Sequence, residues 1–158
     1  EKDFGSYEMR AGWGTSSSPV LFEDKLFLQI DNEQQSFLVA VDAKTGKQIW
    51  RVNRDEPSSY SSPMIWKNSE RAELIAGGMV CRAYDPASGG LLWTLDMEKG
   101  RSSATPLAVG DRLYVGELSS FDIDEQISRT RMRDDKIERL ERAVRCQCAA
   151  LFVHHHIR

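Results

Sequence analysis

The residues best suited to metal chemistry lie close together near the C-terminus. Cys146 and Cys148 are separated by one residue, and His154, His155 and His156 follow as a consecutive run. Thiolate and imidazole are ligands that zinc and copper accept readily. Structural zinc sites, however, usually space their ligands two to four residues apart in paired knuckles, which this segment lacks. We therefore assign no metal and no other cofactor to the chain.

Candidate nucleophiles occur in the N-terminal three quarters of the chain. Cys81 stands in the apolar stretch MVCRAYD, and serines cluster at positions 16–18, 58–62 and 102–103. No histidine lies in residues 1–118 to activate a thiol or a hydroxyl. We interpret Cys81 as a buried small apolar residue and the serines as shaping the approach to a strand. We predict no catalytic residues and a protein that is not an enzyme.

Two polar segments are the best candidates for a binding rim. They are DNEQQ at Asp31–Gln35 and RDEPSSY at Arg54–Tyr60, which lie between apolar runs where loops are expected. The carboxylates of these segments are expected to be solvated: Asp31, Glu33, Asp55 and Glu56. The glycine pairs Gly77–Gly78 and Gly89–Gly90 are interpreted as turn residues, because neither has the strand and helix context of a phosphate loop.

An internal repeat indicates which elements position these residues. VDAKTGKQIW at Val41–Trp50 returns 43 residues later as YDPASGGLLW at Tyr84–Trp93. Upstream, a proline preceding an apolar run recurs in the same register, at Pro19, Pro63 and Pro106. A fixed period near 40 residues is typical of repeat architectures.

Each unit is predicted to be a four-stranded antiparallel meander. Short apolar runs bounded by Gly, Asp, Asn and Ser are strand signals, and the short gaps between them favour hairpins. The first unit places them at Pro19–Phe22, Lys25–Ile30, Ser36–Asp42 and Lys47–Val52. The second unit places them at Pro63–Trp66, Ala72–Ala76, Met79–Asp85 and Leu91–Leu95.

The recurrent residues have structural explanations. Asp42 and Asp85 can cap a turn through their carboxylates, and the glycine four residues later can supply a positive φ. Trp50 and Trp93 follow in the fourth strand, where we expect them to dock against a neighbouring unit. Phe37–Val41 is apolar on both strand faces, which predicts a sheet covered on both sides. Stacked four-stranded sheets of this length describe β-propeller blades.

Composition narrows the function classes. The 158 residues carry a net charge of −3 and contain 41% hydrophobic residues, which suits a globular domain. The acidic repeat region argues against a nucleic-acid binder. We expect neither a membrane-spanning helix nor a secretion signal, and a start at Glu1 fits a processed or excised segment. Three cysteines do not form a disulfide framework.

The pattern Asp, two residues, Ser or Thr, Gly, three residues, Trp resembles the tryptophan-docking repeats of the quinoprotein-like (pyrroloquinoline-quinone-type) β-propellers. The segment from GWGTSSSPV onward also resembles the outer-membrane assembly lipoproteins that carry this propeller. The resemblance covers Gly12–Glu117. It implies seven or eight blades in the complete family fold and export to the periplasm or cell surface.

The repeat ends within its third unit. Its Asp, Gly and Trp should fall at positions that instead hold Ser128, Met132 and Lys136. We predict an all-β, incomplete propeller over residues 1–118, with blades at about 15–53 and 60–96 and a half blade at 103–117. Residues 119–158 form an Arg-rich tail with a short C-terminal helix predicted over Asp134–Val153. This tail could cover the open sheet edge or pair with a second chain, or it could be sequence unrelated to the repeats.

Two functions fit these observations. The first is a non-catalytic propeller segment that serves as a protein-interaction or assembly scaffold, with a protein partner or a second copy of itself. It would bind no nucleic acid, would not insert into the membrane, and would lie in the periplasm or be secreted. The alternative is a fragment of a quinone- and calcium-dependent dehydrogenase, although the chain lacks that family's adjacent cysteine pair and an alignable set of calcium ligands.

Overall fold

The computed structural model describes residues 2–97 and 104–116. Within them the chain forms ten strands and one short 3-10 turn at Arg10–Gly12. The first sheet contains β1 (Val20–Phe22), β2 (Lys25–Ile30), β3 (Ser36–Asp42) and β4 (Gln48–Arg54). The second contains β5 (Met64–Lys67), β6 (Ala72–Ala76), β7 (Val80–Tyr84) and β8 (Leu91–Asp96), and the third contains β9 (Leu107–Val109) and β10 (Arg112–Tyr114).

Both four-stranded sheets are meanders in which consecutive strands pair antiparallel. In the first two sheets β2, β3 and β6 match the predicted runs, and the other five strands differ from them by one or two residues at their ends. The register between the third and fourth strands shifts at equivalent places, Ala40/Val41 in the first sheet and Ala83/Tyr84 in the second. The two units therefore share their pairing and also their irregularity.

The aspartate–glycine turns form as predicted. Asp42 Oδ1 accepts hydrogen bonds from the backbone amides of Lys44 and Thr45, at 3.1 and 2.7 Å. Gly46 has a φ of +70°, and its amide donates to the Asp42 carbonyl oxygen. The second sheet repeats this arrangement around Asp85, where Gly89 has a φ of +76°.

The core lies between the sheets and not within one of them. One apolar cluster combines Phe27, Leu38 and Ala40 of the first sheet with residues of the second sheet that include Leu74 and Tyr84. A second cluster joins the second sheet to the third. On its other face, β3 is covered by the N-terminal segment (residues 2–14), which contributes Phe4 and Tyr7. The prediction that β3 is covered on both sides is thus confirmed.

Successive units also contact each other at the repeat spacing. The amide of Ser18 donates to Ser62 Oγ at 2.8 Å, and Ser61 Oγ donates to the carbonyl oxygen of Ala104 at 2.9 Å. Trp66 Nε1 donates to the carbonyl oxygen of Gly110 at 2.9 Å. The described residues therefore form an all-β fold, with antiparallel four-stranded sheets stacked as the blades of an incomplete β-propeller.

Some predictions fall outside this description. The predicted helix at Asp134–Val153 and the Cys and His residues of the tail lie outside the described residues. Within residues 2–97 and 104–116, no helix is long and apolar enough to cross a bilayer.

Candidate functional site

The two polar segments predicted as a binding rim lie side by side in the structure. The loop between β2 and β3 and the segment that leaves β4 together line a shallow pocket of about 450 Å³. Glu33 and Asp55 are exposed on this rim. Glu33 accepts a hydrogen bond from Ser58 Oγ at 2.6 Å, which ties the two segments to each other.

Behind the rim lies an ion pair that the sequence did not suggest. Arg54 Nε contacts Asp31 Oδ1 at 2.9 Å, and both side chains are fully buried. The guanidinium also donates to the carbonyl oxygen of Gly77 at 3.0 Å and to the hydroxyl of Tyr84 at 3.1 Å. The expectation that Asp31 is solvated is wrong, because its carboxylate is buried and holds the Arg54 guanidinium that joins the first sheet to the second.

Glu56 is buried as well and belongs to the same junction. Its carboxylate accepts hydrogen bonds from the backbone amides of Met79 and Val80, at 2.7 and 3.1 Å. Arg82 also donates to Glu56. Its expected solvation is therefore wrong too, because the carboxylate is buried and accepts hydrogen bonds from the chain at the start of β7.

The buried environment of the ion pair shifts the pKa values of both Asp31 and Arg54. Burial raises the pKa of the Asp31 carboxyl, and the neighbouring Arg54 guanidinium offsets part of that shift. Burial acts to lower the pKa of Arg54, but the carboxylate and other neighbours outweigh it, so that pKa rises. Arginine keeps its proton in proteins, so the pH response of the pair is that of Asp31. Asp31 uses its hydrogen bonds to hold Gln29 and Arg54, and Arg54 also donates to the second sheet, so neither group is free for acid–base chemistry.

The other residues that the sequence analysis considered as candidates serve the packing of the fold. Cys81 is a free, fully buried thiol whose pKa burial raises to about 12, which makes it a poor nucleophile. Gly77 and Gly78 connect β6 to β7, and a Cβ on either would meet a neighbouring side-chain oxygen at 2.6 Å. In the described ranges, no group of three His, Cys, Asp or Glu side chains could hold a metal ion.

A second and larger pocket was not predicted. It has a volume of about 760 Å³ and lies between the N-terminal segment, the residues that lead into β1 and the end of β2. Ser17 and Gln29 line it, and each carries a buried side-chain oxygen without a hydrogen-bond partner in the described part of the chain. The N-terminal segment has glycines and single aromatic residues that follow no strand period. This pattern indicates a segment outside the sheets but is too unspecific to predict a pocket.

No protein-family model matches the chain, and no curated protein matches it either. Among solved structures, the chain is similar to the crystal structure of BamB from Moraxella catarrhalis, with 21% sequence identity and a TM-score of 0.48. The match covers 67% of this chain and 31% of that one, so the chain spans about a third of the length of BamB. A likeness at this level carries no argument about function.

Proposed function

We propose that the chain is a non-catalytic β-propeller segment that serves as a protein-interaction or assembly scaffold. The observation that carries the proposal is an exposed apolar face on the third sheet. Ala108 and Leu113 pack toward the second sheet, so alternation along β9 places Leu107 and Val109 on the opposite face. Both are 62% exposed, although equivalent residues of the first two sheets are covered by the next unit.

The first sheet offers a complementary face. Leu21 lies in β1 between two residues that pack toward the second sheet, Val20 and Phe22, and it is 62% exposed on the other side. The described residues supply two four-stranded sheets and one two-stranded sheet, whereas propellers close with about four to eight blades. Exposed apolar faces of this kind favour association with a protein partner or a second copy.

The tryptophans support the same interpretation. Trp50 lies in β4, yet its Nε1 donates to the carbonyl oxygen of Pro86 in the second unit at 3.2 Å. Trp93 packs against the cluster that joins the second and third sheets. We propose that both act as docking residues between units, as in the repeats that the sequence resembles. A periplasmic location is part of the proposal and rests on that resemblance.

Self-association can be measured by sedimentation equilibrium. We expect the mean mass to rise above the 17.9 kDa of one chain as the protein concentration increases. Replacing Leu107 and Val109 by Asp should return the mass to that of one chain. Thr94→Asp is the matched control, because Thr94 is also an exposed strand residue but lies on β8, at the edge of the second sheet. It should not change association. A single-chain mass for the wild type at every concentration would contradict the self-association.

Catalysis is tested separately. Titration with pyrroloquinoline quinone and calcium, followed by absorbance, should show no saturable binding if the chain is a scaffold. Saturable turnover of a defined substrate by the purified chain would contradict the proposal directly.

A further inference from the structure

The larger pocket is a slit at the edge of the first sheet. Strand β1 pairs with Lys25–Phe27 of β2, and the residues before it then diverge. Pro19 has no amide to donate, and the amide of Ser18 turns away to Ser62 of the second unit. The slit therefore opens between residues 17–19 and Leu28–Ile30, and no described strand pairs with Leu28–Ile30 on that side.

Two polar side-chain atoms in the walls of the slit lack hydrogen-bond partners among the described residues. Gln29 is 4% exposed, and its Nε2 donates to Asp31 Oδ2 and to the carbonyl oxygen of Gly77, both at 2.7 Å. These two acceptors fix the orientation of the amide, so Oε1 must be the oxygen that accepts from another donor. Neither Gln29 Oε1 nor Ser17 Oγ has a hydrogen-bond partner among the described residues. One acceptor and one hydroxyl together complement a peptide group, which offers one N–H and one C=O.

Charge and an aromatic side chain narrow the ligand class further. Of the described residues that line the slit, Glu8 alone carries a formal charge, so an anionic ligand would find no cation to pair with. Trp13 lies on the wall, 60% exposed, with its ring 6.2 Å from that of Tyr60. An exposed Trp beside unmet polar atoms is typical of a contact surface.

We propose that the slit binds an extended, uncharged or basic peptide segment of a protein partner. The peptide aligns with the unpaired edge of Leu28–Ile30, donates an N–H to Gln29 Oε1 and accepts from the Ser17 hydroxyl. Addition of an extended peptide to an open strand edge is a known mode of recognition. The proposal rests on the scaffold function and names the class of partner that this part of the scaffold takes.

The second unit explains why one slit forms and its counterpart does not. The strand registers make Gly77 the equivalent of Gln29. Val20, which begins β1, pairs with Phe27, and Gln29 follows two residues later. Met64, which begins β5, pairs with Ile75, and Gly77 follows two residues later. A Cβ at Gly77 would meet Ser61 Oγ at 2.6 Å, so the lead-in residues of β5 already pack against this position. In the first unit, the Gln29 side chain occupies the equivalent position and keeps the lead-in residues of β1 away from β2.

Binding is tested with a defined probe. The probe is a fluorescein-labelled peptide of eight alternating Thr and Val residues with one Lys at each end, titrated by fluorescence anisotropy. We expect saturable binding to the full chain, and a loss of affinity of about tenfold in Ser17→Ala, where one hydrogen bond is removed. Since Ser17 Oγ has no partner in the described chain, this variant should keep the wild-type melting temperature.

Two further variants complete the design. Trp13→Ala removes an exposed side chain and should weaken binding by a similar factor without unfolding the protein. Ser61→Ala is the matched control, because its hydroxyl already donates to Ala104 and lies at the closed position of the second unit. It should leave peptide affinity unchanged.

Any of four results would overturn the proposal, and the first three concern the peptide. They are no binding by a folded wild-type chain, equal binding by wild type and Ser17→Ala, and equal binding of the same peptide with proline at every second position. Binding of a neutral disaccharide such as cellobiose, without binding of the peptide, would also overturn it. Failure of the scaffold function would appear separately, as loss of self-association in the sedimentation experiment.

Discussion

The first and second sheets follow one plan but differ where the chain enters them. Both have the same strand order, the same register shift before the fourth strand and the same aspartate–glycine turn. In the second sheet, Gly77 lets the lead-in residues close against β6. In the first, Gln29 occupies the equivalent position and reaches the second sheet through its amide. The repeat determines the scaffold that the two sheets share. The residue at the position of Gln29 or Gly77 determines whether a binding slit opens beside it.

The two repeat tryptophans differ in a similar way. Trp50 donates across the interface to Pro86, whereas Trp93 donates within its own sheet to Glu73 Oε2 at 2.6 Å. Glu73 is 1% exposed, so the Trp93 indole satisfies a buried carboxylate. Identical positions in a repeat can thus share packing and still differ in hydrogen bonding.

The largest expected effect comes from breaking the ion pair that only the first unit contributes. Asp31→Ala leaves the buried Arg54 guanidinium without its carboxylate, and we expect a loss of about 3–5 kcal/mol in the free energy of unfolding. Urea denaturation followed by Trp fluorescence measures this loss. Asp24→Asn, at an exposed ion pair with Lys25, is the control and should change the midpoint little. Equal effects of the two variants would contradict a structural role for the buried pair.

A smaller loss is expected where the second unit is closed. Gly77→Ala places a methyl group against Ser61 Oγ, and the strain should cost about 1–3 kcal/mol. Gly90→Ala is a suitable control, because its Cβ would meet the exposed Ser88 hydroxyl at 3.2 Å and nothing closer. If both variants melt at the wild-type temperature, the close packing described for Gly77 is wrong.

The two tryptophans can be compared by removing only their N–H groups. Trp93→Phe leaves the Glu73 carboxylate with one donor fewer, and we expect a cost of about 1–2 kcal/mol. Trp50→Phe removes a bond to a backbone carbonyl and should cost about 1 kcal/mol or less. Thermal unfolding of the two variants in parallel gives the order. A larger loss for Trp50→Phe would reverse our account of the two positions.

The smallest effect concerns the pH response of the first turn. The Thr45 hydroxyl and the Thr45 amide hold the pKa of Asp42 below its ordinary value of 3.8. A carboxyl with a lowered pKa stabilises the fold above that ordinary value, and this contribution is lost as the pH falls through the folded-state pKa. Thr45→Val should therefore reduce the acid sensitivity of stability below pH 4, as measured by urea midpoints at a series of pH values. An unchanged pH profile would contradict the assignment.

The sequence was sufficient for the strands and turns because these depend on local signals. Short apolar runs bounded by turn residues defined β2, β3 and β6 to the residue, and Asp42 and Gly46 marked a turn whose geometry is local. The fold class could be predicted from this information alone.

The candidate site could not be predicted in the same way. Burial of Asp31 and Glu56 depends on the approach of the second sheet, which no pattern within either loop encodes. The slit depends on Gln29 standing where the other unit has Gly77, and this equivalence becomes visible only from the strand registers. Coverage of β3 by Phe4 and Tyr7 is likewise a tertiary contact without a periodic signal.

We infer above all that two exposed outer surfaces, at β1 of the first sheet and at β9 of the third, are interaction surfaces. Hydrogen–deuterium exchange of the full chain at low and high protein concentration tests it most directly. We expect exchange to slow with concentration in β1 and β9, while β6 and β7, which lie between the two surfaces, exchange at a constant rate. Exchange that is independent of concentration in all four strands would contradict the claim.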